Sequence, residues 1–215
     1  MKNAIRLAAP AERRRQRHEV VLTAIRSAAA ATLEEEGVTA LNMHTVAQRV
    51  NMRVQSLYNY FPSKASLYDA VLKDGAALLL EQDRQVWMST PPTWQRIEIW
   101  LQTRVKFARE HHALYRLITE SSVPDFKPSD DAVRATRLIG ETAVAAVQEL
   151  IDAGIAAPPL SSRRAINVLL AASHGVVGET LGKEHLFDDA NRFTNLITDF
   201  TDTFRLAWSA ERSAS

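Results

Sequence analysis

Cysteine is absent from the 215-residue chain, which excludes disulfides and thiolate zinc sites and leaves the redox compartment open. Glycine (seven) and proline (eight) are scarce and fall mainly at joints, and the period-2 apolar alternation of half-buried strands is nearly missing. No apolar run approaches membrane-spanning length, and the opening MKNAIRLAAPAERRRQRHEV lacks the apolar core of a secretion signal. A soluble, cytoplasmic protein is the expectation. Signatures of catalysis are missing too: there is no phosphate-binding glycine loop, no HExxH and no nucleophile elbow. The glycines of GVVGETLG stand in a helical pattern rather than after a strand, so they make no nucleotide site. His111 and His112 are adjacent on a helix, point in different directions and share no obvious carboxylate partner, which favours capping or solvation over metal binding. Neither enzyme, cofactor nor metal is expected.

What remains is helix. A first one runs from about Glu12 to Glu36, with Leu22, Ile25, Ala29 and Leu33 as its stripe and Gly37 in the left-handed position that closes it. Asn42 caps a short helix from Met43 to Val50, and a third covers Val54 to Tyr60 until Pro62 stops it. Ser63 caps a long fourth helix through about Met88. Thr93 caps the next, through about Glu110, and a shorter one spans Ala113 to Ser121. Ser129 or Asp130 begins a helix that ends before Gly154, Ser161 or Ser162 begins one up to about Leu181, and the last starts near Asp188 or Asp189. The predicted fold is all-α, with about nine helices: an N-terminal three-helix helix-turn-helix domain and a larger helical domain.

Charge marks the boundary. Through Lys64 there are ten Lys/Arg against five Asp/Glu, a balance of +5; the rest has sixteen against twenty, a balance of −4. The basic front of residues 1–64 either meets a polyanion or is a chance fluctuation around a solvated surface, and residues 65–215 form the body.

The segment VAQRVNMRVQSLYNYFPSK carries the helix-turn-helix pattern. Val46, Ala47 and Val50 give the first short helix an apolar face. Asn51 stands at the turn, where positive φ is often needed; Met52 plugs the interhelical angle, and Leu57 and Phe61 anchor the second helix. Arg53, Val54, Gln55, Ser56, Tyr58, Asn59 and Tyr60 are left for the other faces. Arginine and hydroxyls suit phosphates, glutamine pairs with adenine, and valine touches a thymine methyl.

The longer run IRSAAAATLEEEGVTALNMHTVAQRVNMRVQSLYNYFPSKASL, from Ile25 through Leu67, resembles the DNA-binding domain of TetR-family transcriptional regulators. The matching features are Ala29, Gly37, Leu41, Val46-Ala47, Leu57-Tyr58, Tyr60-Phe61, Ser63-Lys64 and Leu67. Asn42 replaces the family's usual serine or threonine and Asn51 its usual glycine; both keep the cap or turn capacity. The resemblance implies that His44 reaches a base, that Val54, Gln55 and Tyr58 form the reading face, and that Asn42, Ser56, Tyr60 and Lys64 contact phosphates. Arg13, Arg14, Arg15 and Arg17 form a basic arm that either adds DNA contacts or is a frayed, solvated terminus.

Such proteins dimerise to read two half-sites. Phe193, Ile197, Phe200 and Phe204 on the last helix, with Ile166, Leu170 and Gly178 on the one before, are the candidate interface of a homodimer. Gly178 and Gly182, four apart, allow close helix approach. In the middle, Trp87, Trp100, Phe107, His111, Tyr115, Phe126 and His174 are candidates to line a pocket for a small-molecule effector, although each aromatic also suits the core. FAREHHALYRLITE and SHGVVGETLG partly resemble a TetR subgroup marked by a tryptophan-histidine-glycine element, with Ser173 in the tryptophan's place. The resulting expectation is a homodimeric repressor of double-stranded operator DNA, released by an effector. The alternative is a helical interaction or small-molecule-binding module that has lost specific DNA binding.

Overall fold

A computed structural model of the chain describes residues 10–120, 123–182 and 195–209. Nine α-helices occupy these residues, and no strand does. They are α1 (Pro10–Glu36), α2 (Met43–Arg49), α3 (Val54–Leu57), α4 (Lys64–Ser89), α5 (Trp94–Glu110), α6 (His112–Thr119), α7 (Asp130–Asp152), α8 (Ser162–Gly182) and α9 (Leu196–Ala207).

The punctuation residues set the ends. The described part of α1 starts at Pro10, two residues before the sequence expectation. Gly37 closes it at φ 90. Asn42 caps α2 by accepting from the His44 and Thr45 amides, and Asn51 takes φ 52 at the turn into α3. Ser63 and Ser66 form a reciprocal capping box that opens α4. Thr93 behaves differently from the expectation: it precedes α5, but its hydroxyl donates back to the Pro91 carbonyl at 3.4 Å instead of capping. The third helix is also shorter than expected. After Leu57 the backbone tightens into turn geometry, with Tyr60 N–H bonded to the Leu57 carbonyl, because Pro62 disfavours helix just before it. The expected start of the last helix, at Asp188 or Asp189, lies outside the described residues.

Two apolar cores are joined by α4. One gathers Ile25, Leu33, Val46, Leu57, Leu67 and Leu79 around α1–α4 and α6. The other gathers Ile97, Trp100, Leu150, Ile166, Leu169 and Phe200 around α5 and α7–α9, and takes Val86 from the end of α4. Charges are buried between the helices of the body. Arg104 pairs with Asp83 at 2.6 Å, and the Trp100 indole N–H donates to the same carboxylate at 2.9 Å. Arg96 donates to Glu149 at 2.8 Å and to the Ala146 carbonyl at 2.9 Å. Among the described residues no helix is long and apolar enough to cross a membrane.

Gly75 marks a close approach between α4 and α6. A Cβ added at Gly75 would lie 2.4, 2.7 and 2.9 Å from three carbons of the Leu114 side chain. All the branched end of Leu114 would have to move, in a site where it is 7% exposed. Gly75→Ala is therefore expected to lower stability by about 1–3 kcal/mol through overpacking, outweighing the ~1 kcal/mol gained in helix propensity. Urea unfolding monitored by circular dichroism checks this, and an unchanged or raised midpoint would contradict it.

Candidate nucleic-acid interface

α2 and α3 form a small angular head whose inner side is saturated. Val46, Ala47, Leu57 and Phe61 are buried, and Val50, Met52 and Val54 are half-buried against the same core. The Met52 amide donates to the Ala47 carbonyl at 2.8 Å across the turn, which ties the two helices together. Arg49 extends from the end of α2 to Glu35 and Glu36 at the end of α1, at 2.7 Å each. Those carboxylates raise the guanidinium's pKa, and Arg49 in turn lowers that of Glu35. This arginine is thus spent on holding the head to α1 rather than on a ligand.

The outward residues separate into those that remain open and those with internal work. His44, Arg53, Gln55, Tyr58, Asn59 and Lys64 are exposed, Tyr58 by 44%. His44 shares a 3.0 Å contact with Gln48 one turn along α2. Lys64 stands on the first turn of α4, with its ammonium 5.4 Å from the Tyr68 ring. Asn42 is committed: besides the two amides it accepts, its side-chain amide donates to the Ala40 carbonyl at 2.8 Å. Its observed contribution is to fix where α2 starts. Ser56 is half-buried, and Val54 packs its methyls partly inward. Tyr60 is not turned fully outward; its ring stacks on His18 of α1, with centroids 4.9 Å apart and planes 19° from parallel. That stack was not legible in the sequence, since nothing local in either segment pairs residues so far apart.

The arginines ahead of His18 lie on α1 itself. Arg13, Arg14, Arg15 and Arg17 are exposed on the helix that continues past the Tyr60 stack. Arg15 makes a loose 3.4 Å contact with Glu12. Helix therefore replaces the frayed arm as the local structure of this basic stretch.

In the body, the aromatic candidates distribute unevenly. Trp100, Phe107 and Tyr115 are interior groups, exposed by 1, 0 and 5%, and the buried Tyr115 hydroxyl has no hydrogen-bond partner. Trp87 is half-buried and lies 5.5 Å from Trp100, ring to ring. His111 lines a cleft beside α1 with Arg26 and Asp74, and Phe126 lines another with Leu72 and Leu117. His174 alone of the set meets a cavity where α4 to α8 converge, together with Leu79, Arg104, Ile139 and Leu170. Of the candidate interface residues, Ile166 and Phe200 are buried in the chain's own core, Leu170, Ile197 and Phe204 are half-buried against it, and Phe193 lies outside the described residues. Gly178 is exposed, and on its face of α8 stand Val168, Ala171 and Gly175, all exposed as well.

Sequence reasoning missed the side-chain links between head and body. His111 precedes α6 without offering a side-chain cap. Glu34 of α1 does so instead, accepting from the Ala113 amide at 3.0 Å and the Leu114 amide at 2.9 Å. A carboxylate at a helix N-terminus is favoured both by the unpaired amides and by the helix dipole. A second link joins Arg26 of α1 to Asp74 of α4 through two hydrogen bonds, and a third runs from the Tyr68 hydroxyl to the Val38 carbonyl.

The model of bacterial regulatory proteins of the tetR family matches residues 25–71, and that of tetracyclin repressor-like C-terminal domains matches residues 99–200. The nucleoid occlusion factor SlmA of Haemophilus influenzae is 31% identical over 85 residues, 40% of this chain and 39% of that protein, so the match spans about two fifths of that relative's length. The HTH-type transcriptional activator FasR of Mycolicibacterium smegmatis is 29% identical over 132 residues, 60% of this chain and 59% of that one. Among solved structures, the transcriptional regulator FadR from Bacillus subtilis in complex with stearoyl-CoA superposes with a TM-score of 0.67 at 13% identity, covering 86% of this chain and 98% of that chain. A TetR-family regulator from Agrobacterium tumefaciens gives 0.68 at 13%, covering 87% and 98%. A head built on a capped α2, an asparagine turn and a short α3, followed by a helical body that matches the second model, makes this chain a member of the TetR family of DNA-binding transcriptional regulators.

Proposed function

We propose that the chain is a homodimeric repressor whose grip on operator DNA is released by a small molecule bound in the body. The observation that carries the reading is the Glu34 bridge. α6 contributes Ile118 and Thr119 to the wall of the interior cavity, and its N-terminus is held by a carboxylate of α1, the helix against which the head packs. A ligand that shifts α6 acts on the placement of the head through this bridge. DNA and effector then oppose each other by linkage, each favouring a different population of head spacings.

Exposed Gln55, Tyr58 and Asn59 supply the reading face, with Arg53, Lys64 and the α1 arginines on the phosphates. The second copy docks on the outward face of α8, where Val168, Ala171, Gly175 and Gly178 leave an apolar, low-relief strip suited to close helix packing. Here the interface shifts from Ile166 and Phe200, which hold α8 and α9 to the body, to the residues on the opposite side of α8.

Tyr58→Ala and Lys64→Ala are each expected to weaken binding to the DNA flanking the chain's own gene about tenfold, and Lys64→Ala to reduce the salt slope by about one counterion. Fluorescence anisotropy across a salt series measures both, with sedimentation confirming an unchanged assembly state; equal affinities for both variants and the wild type would refute the reading face.

Glu34→Ala tests the bridge. It is expected to cost about 0.5–2 kcal/mol of stability, as the loss of a helix cap does, and to speed hydrogen exchange at the Ala113 and Leu114 amides selectively. Exchange rates unchanged at both amides would remove α6 from the proposed path.

A further inference from the structure

The cavity at the meeting of α4–α8 has a volume of about 200 Å³ and is lined by Leu79, Arg104, Ile118, Thr119, Thr136, Ile139, Gly140, Leu170 and His174. A roomier cleft of about 410 Å³ lies at the α1–α6 junction, but its carboxylate, Glu34, is already committed to the α6 cap. The smaller cavity has uncommitted polarity. Arg104 is 3% exposed, and its Nε–H has no acceptor although its other arm holds Asp83. The guanidinium is pinned, 4.6 Å from the Trp100 ring, so it cannot swing out to water. Two threonine hydroxyls in the wall donate to their own helix backbones, Thr119 to Tyr115 and Thr136 to Ala132 and Val133. The remaining donor capacity of the wall therefore lies on Arg104 and on the ring N–H of neutral His174.

Electrostatics fix the charge of what enters. Arg104 is compensated by Asp83, whose carboxyl is pushed up by burial and pulled back by Arg104 and Trp100. His174 keeps an exposed edge at the rim, yet desolvation and the Arg104 charge hold it below the ordinary histidine range, so it is neutral at pH 7. An anion would add an uncompensated charge beside Asp83, and a cation one beside Arg104; either is costly in a low-dielectric wall. Gly140 completes the site. It lies mid-α7, where glycine weakens the helix, and a Cβ there would meet nothing within 4 Å. No packing contact requires the glycine, and it leaves open space at this point of the cavity wall.

We infer that this cavity binds a small uncharged molecule with an aliphatic body and one carbonyl oxygen, the oxygen accepting from Arg104 and the body lying against Leu79, Ile118, Ile139 and Leu170. This deepens the effector reading given above and rests on it. The volume is below the ~300–1,000 Å³ of drug-sized pockets, which sets the scale at a short chain.

The test uses 2-heptanone, heptanoate and heptylamine with the full chain in the absence of DNA, by isothermal titration calorimetry and thermal shift at pH 7.5. 2-Heptanone is expected to bind at least about tenfold more tightly than either ion. Gly140→Leu is expected to abolish ketone binding while keeping the helical fold, since it fills the space and improves helix propensity. Replacing Arg104 is avoided because it would strand the Asp83 charge. Failure of 2-heptanone to bind, either ion binding as tightly, or undiminished ketone binding to Gly140→Leu overturns the inference. A ketone that binds as expected but leaves affinity for the flanking DNA unchanged upholds it and overturns effector release alone.

Discussion

Arg104 and Asp83 occupy the middle of the helical body as a buried ion pair, and much of the architecture around them follows from the cost of putting them there. A lone charge in that position would carry a penalty of several kcal/mol, so each partner fixes the other's helix: Asp83 belongs to α4 and Arg104 to α5. Trp100, one turn before Arg104, adds an indole hydrogen bond to the carboxylate and a ring to the guanidinium. The result is a rigid joint between α4 and α5 that also forms the polar wall of the only five-helix cavity among those described above. An apolar joint would hold the helices together equally well, but would take the guanidinium out of the cavity wall.

From that joint two routes run to the DNA head. One is α4 itself, continuous from its Ser63 cap at the head to Asp83 in the body, and tied to α1 through Arg26 and Asp74. The other is α6, which touches the cavity at Ile118 and Thr119 and is gripped at its N-terminus by Glu34. Gly75 sits where the routes meet, because the missing side chain lets Leu114 of α6 press onto α4. α6 thus contacts both α4 and α1, the arrangement that the proposed coupling between effector and head would use.

The parts of this arrangement written locally were legible in the sequence. Asn42, Asn51, Ser63 and Gly37 act within a few residues of their own positions, and each does in the structure what its side chain or φ preference dictates. Leu57 and Phe61 were recognisable as inward anchors for the same reason. Contacts between distant segments were not. Glu34 is one of three consecutive glutamates that end α1, yet Glu35 and Glu36 hold Arg49 while Glu34 caps a helix nearly eighty residues away. The aromatic content of α5 and α6 signalled burial but not against what, so Trp100, Phe107 and Tyr115 were as eligible for a pocket as for the core. Glycine at 140 gave no signal, because an open space is not encoded by the residue that leaves it open.

The head shows how the family pattern tolerates its two asparagines. Asn42 does the work of a hydroxyl cap and goes further, since its amide also secures the Ala40 carbonyl before the helix begins. With Asn42 saturated, Val54 half-turned inward and Tyr60 stacked on His18, the freedom to read bases narrows to His44, Gln55, Tyr58 and Asn59. Arg49 is likewise withdrawn by Glu35 and Glu36. Much of this polar surface is thus also scaffold, and under the proposed release mechanism the spacing of two such heads is the quantity that a shift of α6 would change.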